Sequence, residues 1–63
     1  MRFRVIVTML ETGEAVAWET KPFEPTSPTT EQEAKEAALG HFAQKLVGLR
    51  EGQDFECMVD RMG

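Results

Sequence analysis

His41 and Cys57 are the side chains of this sequence with the chemistry for nucleophilic or metal-assisted work, and each is the only residue of its type. A catalytic thiol needs exposure, a lowered pKa and a base within hydrogen-bond reach. Cys57 instead alternates with Phe55 and Val59, on what reads as the inward row of a strand, where a free cysteine acts as a small hydrophobe. His41 falls at the edge of a helical apolar stripe, with no second histidine near it. A structural zinc site wants four ligands, normally Cys and His, more than these two supply. Glu31, Glu33 and Glu36 crowd the start of a helix, whereas a catalytic carboxylate pair needs a pocket that drives its two pKa values apart. No phosphate-cradling glycine loop, serine elbow or zincin pattern occurs. The expectation is a protein that is not an enzyme and uses neither metal nor cofactor.

The elements that would position any site must come from 63 residues, a length at which about 60% of the unfolded chain's surface is buried on folding. That leaves room for one core and one domain, residues 1–63. Small scaffolds need disulfides, a metal or oligomerisation for support; a lone cysteine excludes an internal disulfide, so a homodimer is expected. Eleven acidic against seven basic side chains give a net charge of -4, which disfavours phosphate backbones and anionic membranes. The opening Met1-Arg2-Phe3-Arg4-Val5-Ile6-Val7-Thr8 alternates too regularly for a leader peptide, and no stretch has the length of a membrane span. The chain is expected in the cytoplasm, off the membrane.

Period-two alternation appears three times. From Phe3 to Leu10 it sets Phe3, Val5, Val7 and Met9 against Arg4, Ile6 and Thr8. From Ala15 to Lys21 it sets Val16, Trp18 and Thr20 against Ala15, Ala17, Glu19 and Lys21. From Asp54 to Met62 it sets Phe55, Cys57 and Val59 against Glu56, Met58 and Asp60. Gly13 permits a hairpin turn between the first two strands, and prolines at 22, 25 and 28 stiffen the loop that follows. Thr30 and Glu33 form a capping-box pattern. Ala34, Ala38, Leu39, Phe42, Ala43, Leu46 and Leu49 then fall within about a half-circle of a helical wheel, with Gly48 and Gly52 near the expected helix end and Gly40 on the solvent side. The predicted fold is α+β, in the order β-β-α-β: a three-stranded antiparallel sheet in order 2-1-3 with one helix on one face.

One helix leaves the other sheet face open. Ile6, Ala15, Ala17 and Met58 sit on it, edged by Arg4, Thr8, Glu19, Glu56 and Asp60, less polar than a fully solvated face. It is either a mildly apolar exposed sheet or an interface with an apolar centre and charged rim; the small size of the chain favours contact. Phe23, framed by Pro22 and Pro25, is either a second contact residue or a plug for the open end of the core. Arg2, Arg4 and Arg61 gather at one end of the sheet, with acidic neighbours to pair with them. The expected interface set is therefore Arg4, Ile6, Thr8, Ala15, Ala17, Met58 and Phe23. An RNA-reading sheet would carry aromatics on its open face, and Phe3, Trp18 and Phe55 point the other way.

The hairpin, the proline-containing loop and the helix opening Thr30-Glu31-Gln32-Glu33-Ala34 resemble the HicB-type antitoxins over the middle third of the chain. That resemblance implies a nucleic-acid-associated regulator, an alternative to the leading expectation. In size and plainness the chain is similar to small accessory proteins of bacteria and their phages, which implies inhibition of a larger protein by occupying its surface. A protein-binding module is the leading expectation.

Overall fold

The structure is a computed structural model that describes residues 2–21 and 27–62. Strands β1 (Phe3–Met9) and β2 (Ala15–Glu19), helix α1 (Glu31–His41) and strand β3 (Phe55–Arg61) follow in that order. The sheet is antiparallel with β1 in the centre, in order β2-β1-β3, as the three alternating segments predict. At the hairpin, Gly13 takes φ 76° and its N–H donates to the Met9 carbonyl at 2.7 Å, a left-handed geometry that glycine adopts without steric cost.

β1 is buried on its odd row. Phe3, Val5 and Val7 are fully enclosed, joined by Ala34 and Ala38 from α1, Leu46 and Phe55. Met9, Val16, Trp18, Cys57 and Val59 pack against that cluster while half-buried, so all three strands contribute the rows read from their alternation. Ala34 and Ala38 let α1 approach closely, and the helix packs chiefly on β1 and β3, meeting β2 through the rings of His41 and Trp18.

The helix is shorter than its apolar stripe suggests. It ends at His41, and the chain continues in tight turns, in which the Ala43 N–H reaches the Gly40 carbonyl at 3.3 Å and the Lys45 N–H reaches that of Phe42 at 2.9 Å. Gly40, exposed with open space around it, lowers helix propensity just before the break, after which bonds to the third residue back mix with one to the fourth, from the Leu46 N–H to the Phe42 carbonyl at 3.1 Å. Leu46 still reaches the core, whereas Ala43 and Leu49, expected on the buried stripe, are exposed.

The N-terminal cap forms with one arm changed. Thr30 Oγ1 accepts from the Glu33 N–H at 3.1 Å, as predicted. The Glu33 carboxylate accepts from the hydroxyls of Thr29 and Thr30 at 2.9 and 3.1 Å, instead of from the Thr30 amide. Between β2 and α1, the Ser27 hydroxyl donates to the Lys21 carbonyl, tying the two ends of the proline loop together. Phe23 lies outside the described residues.

Candidate protein-binding face

The register turns the open face into a three-by-three array. Ile6 is central, flanked by Ala17 on β2 and Met58 on β3. On one side of this apolar row Arg4 stands between Glu19 and Asp60; on the other Thr8 stands between Ala15 and Glu56. The six predicted interface residues among those described, Arg4, Ile6, Thr8, Ala15, Ala17 and Met58, thus share one face. Ile6 and Thr8 are half-buried by their neighbours in the sheet and the other seven positions are exposed, Met58 at 61%. No described element covers them.

Charge on this face is one-sided. Arg4 donates from Nε and from a terminal guanidinium nitrogen to one Glu19 oxygen, at 3.2 and 3.0 Å. Both side chains are nearly half exposed, so solvent screens the pair and it adds under about 1 kcal/mol to stability. Its larger effect is to leave Glu56 and Asp60 as an acidic flank along β3. Arg2, Arg4 and Arg61 do share one end of the sheet, but not one face: Arg61 stands in register with Phe3, on the helix side, opposite in alternation to Arg4.

The two reactive side chains are held apart. His41, exposed at the end of α1, has its ring 6.0 Å from that of Trp18 on β2 and 4.9 Å from that of Phe42. Cys57 is paired with Val7 on the other side of β1. Burial pushes the Cys57 thiol above its ordinary value of 9.0, with the Glu51 carboxylate adding and the Lys35 ammonium opposing. A raised folded-state value means that the fold favours the neutral thiol. The stability this provides is complete below the ordinary pKa and is lost as pH climbs past it towards the folded value. In dilute solution, alkylation of Cys57 by iodoacetamide is therefore expected to be slower than that of free cysteine at neutral pH, and to accelerate only above pH 9.0. Rapid labelling at neutral pH would contradict this environment.

Glu31, Glu33 and Glu36 are exposed, as a cap and solvated helix face require. Among the described residues no group of three or more His, Cys, Asp or Glu side chains converges as a metal site, and no helix is long and apolar enough to cross a membrane. Among the described residues, shallow depressions flank the core. One, of about 540 Å³, lies between Trp18, Lys21, Pro28 and His41. Another, of about 450 Å³, mixes Met9 and Leu49 with Glu11, Glu14, Lys45 and Asp54, and Lys45 closes on Glu14 at 3.4 Å.

Sequence reasoning missed how the outer edge of β3 is occupied. The Gly52 N–H donates to the Phe55 carbonyl at 2.7 Å, and Glu51 makes a parallel bridge with Phe55. Lys35 holds Glu51 from the helix at 2.5 Å. Gly52, with φ 88°, lets the chain make this return within four residues, a local turn that the period-two alternation of β3 does not reveal. Comparison with family models, curated proteins and solved structures returned no match.

Proposed function

We propose that this protein is a non-catalytic protein-binding module that works by occupying a partner's surface with its open sheet face, and that it assembles as a homodimer. The observation that carries this reading is the apolar row Ala17–Ile6–Met58 across an uncovered face, with acidic groups beside it. An apolar centre within a charged rim is the anatomy of a protein interface. The fitting partner presents a small apolar patch and basic groups opposite Glu56 and Asp60. A reducing compartment such as the cytoplasm suits a chain whose one cysteine is a half-buried free thiol, and small bacterial or phage accessory proteins that inhibit a larger protein act in this manner. The HicB-like alternative gains no support from the arginines, because Glu19 engages Arg4 and Arg61 is on the other face.

The test is affinity capture from the native host with the tagged parent, Ile6→Glu, Ala17→Glu and the control Gln44→Glu, which adds the same charge on an exposed position beyond the helix. A partner retained by the parent and the control, and weakened about tenfold or more by both face variants, is the expected result; tenfold corresponds to about 1.4 kcal/mol. Circular dichroism verifies that the variants fold. Equal capture by all four proteins would remove the sheet face from the reading.

A further inference from the structure

The geometry points to a second copy of this chain as the occupant of the β3 edge, paired antiparallel with Val59 on the two-fold axis, so that two three-stranded sheets become one. This rests on the homodimeric part of the reading above and names the surface it uses.

Main-chain bonding comes first. The Met62 N–H donates to the Arg2 carbonyl at 2.8 Å and the Leu10 N–H to the Asp54 carbonyl at 3.0 Å. Those bonds fix the phase of the antiparallel ladder, in which alternate residues turn their amides inward and outward. The even residues of β3 therefore face β1, and the odd residues Phe55, Cys57, Val59 and Arg61 turn their N–H and C=O groups outward. At Phe55 the outward carbonyl is already taken by Gly52. The free stretch runs from Cys57 to Arg61, with no described residue paired to it, and its midpoint is Val59.

Charge selects the same centre independently. A two-fold antiparallel pair that joins outward groups to outward groups can be centred on residue 57, 58, 59 or 60. Centring on Met58 sets Glu56 against Asp60 of the second copy, twice; centring on Asp60 sets it against itself; centring on Cys57 sets Asp54 against Asp60. Like charges directly opposite are destabilising. With Val59 in the centre, Cys57 meets Arg61, Met58 meets Asp60 and Val59 meets Val59, with no like pair directly opposite.

The layers fit as well. Because α1 packs on β1 and β3, the two helices would lie on the same side of the joined sheet and flank the seam. With strands about 4.8 Å apart, helices seated between β1 and β3 in each copy come about 10 Å from each other, a normal packing distance. The open faces also join on the other side, so each bound partner would meet a surface twice as wide.

The experiment measures native mass at up to about 1 mM, a concentration that populates weak contacts, for the parent, Val59→Pro and Ile6→Glu. The expected result is twice the 7.1 kDa chain mass for the parent and for Ile6→Glu, and the single-chain mass for Val59→Pro, which deletes an outward donor without touching the β1 ladder. Should Val59→Pro fail to fold, Val59→Cys in a Cys57→Ser background serves instead. Residues in a hydrogen-bonded antiparallel pair lie about 5.5 Å apart at Cα, within disulfide reach, so this variant is expected to cross-link on mild oxidation. The parent is not, because its Cys57 residues sit four positions out of register, about 13 Å apart. A single-chain mass for the parent overturns the proposal, as does a dimer that survives Val59→Pro and leaves Val59→Cys uncross-linked. If the parent is monomeric and Ile6→Glu still loses the captured partner, the edge fails while the sheet-face reading stands.

Discussion

Replacing Phe3 with alanine is expected to abolish the cooperative unfolding transition of this protein at room temperature. Phe3 is 1% exposed and heads the buried row of the central strand. Truncating a buried phenylalanine costs about 3–5 kcal/mol through lost transfer energy and the cavity left behind. A single core in a chain of this length rarely supplies more than about 3–5 kcal/mol in total, so one substitution consumes the whole margin. Urea titration followed by circular dichroism reads the result directly. A Phe3→Ala variant with a sharp transition close to that of the parent would show that the core does not depend on the β1 row.

Thr20→Val is expected to destabilise the protein by about 1–3 kcal/mol, the penalty for a buried donor left without a partner. Thr20 is 3% exposed, the one buried polar residue among those described. Its hydroxyl oxygen accepts from the Phe3 N–H at 2.9 Å, while its own N–H donates to the Phe3 carbonyl at 3.0 Å. Valine keeps the shape and removes the acceptor, which leaves the Phe3 amide buried and unpaired. Thr20→Ser makes the comparison decisive, because serine restores the acceptor while burying less apolar area. The serine variant is expected to melt above the valine variant; the reverse order would show that Thr20 acts through its methyl group.

The strands were legible because a sheet with one covered face writes its burial into the sequence with a period of two. Val5 and Val7 against Ile6 and Thr8, or Phe55 and Cys57 against Glu56 and Met58, decide both the face and the strand, and the register then brings Ile6, Ala17 and Met58 into one row. The helix end was not legible. An apolar stripe repeats in a run of tight turns nearly as well as in a regular helix, so Leu46 keeps its place in the core while Ala43 and Leu49 lose theirs. The Glu33 carboxylate settled on two hydroxyls rather than an amide, a choice between near-equal partners that spacing cannot make. The Glu51 and Gly52 return onto Phe55 is a turn of three to four residues, which a period-two pattern does not register. It is what divides that edge into a closed part and an open part.

The central position of β1 also sets the order in which this chain can assemble. Its ladder with β2 closes through a short turn and needs only nearby residues. The other ladder needs β3, which is separated from β1 by β2, the proline loop and α1. Contacts across so long a stretch of chain carry the larger loop-closure entropy and form late. A polypeptide emerging from the ribosome therefore has its first hairpin early but no enclosed hydrophobic row. Val5 and Val7 stay uncovered until α1, whose Ala34 and Ala38 share their cluster, and then β3 have been synthesised and docked.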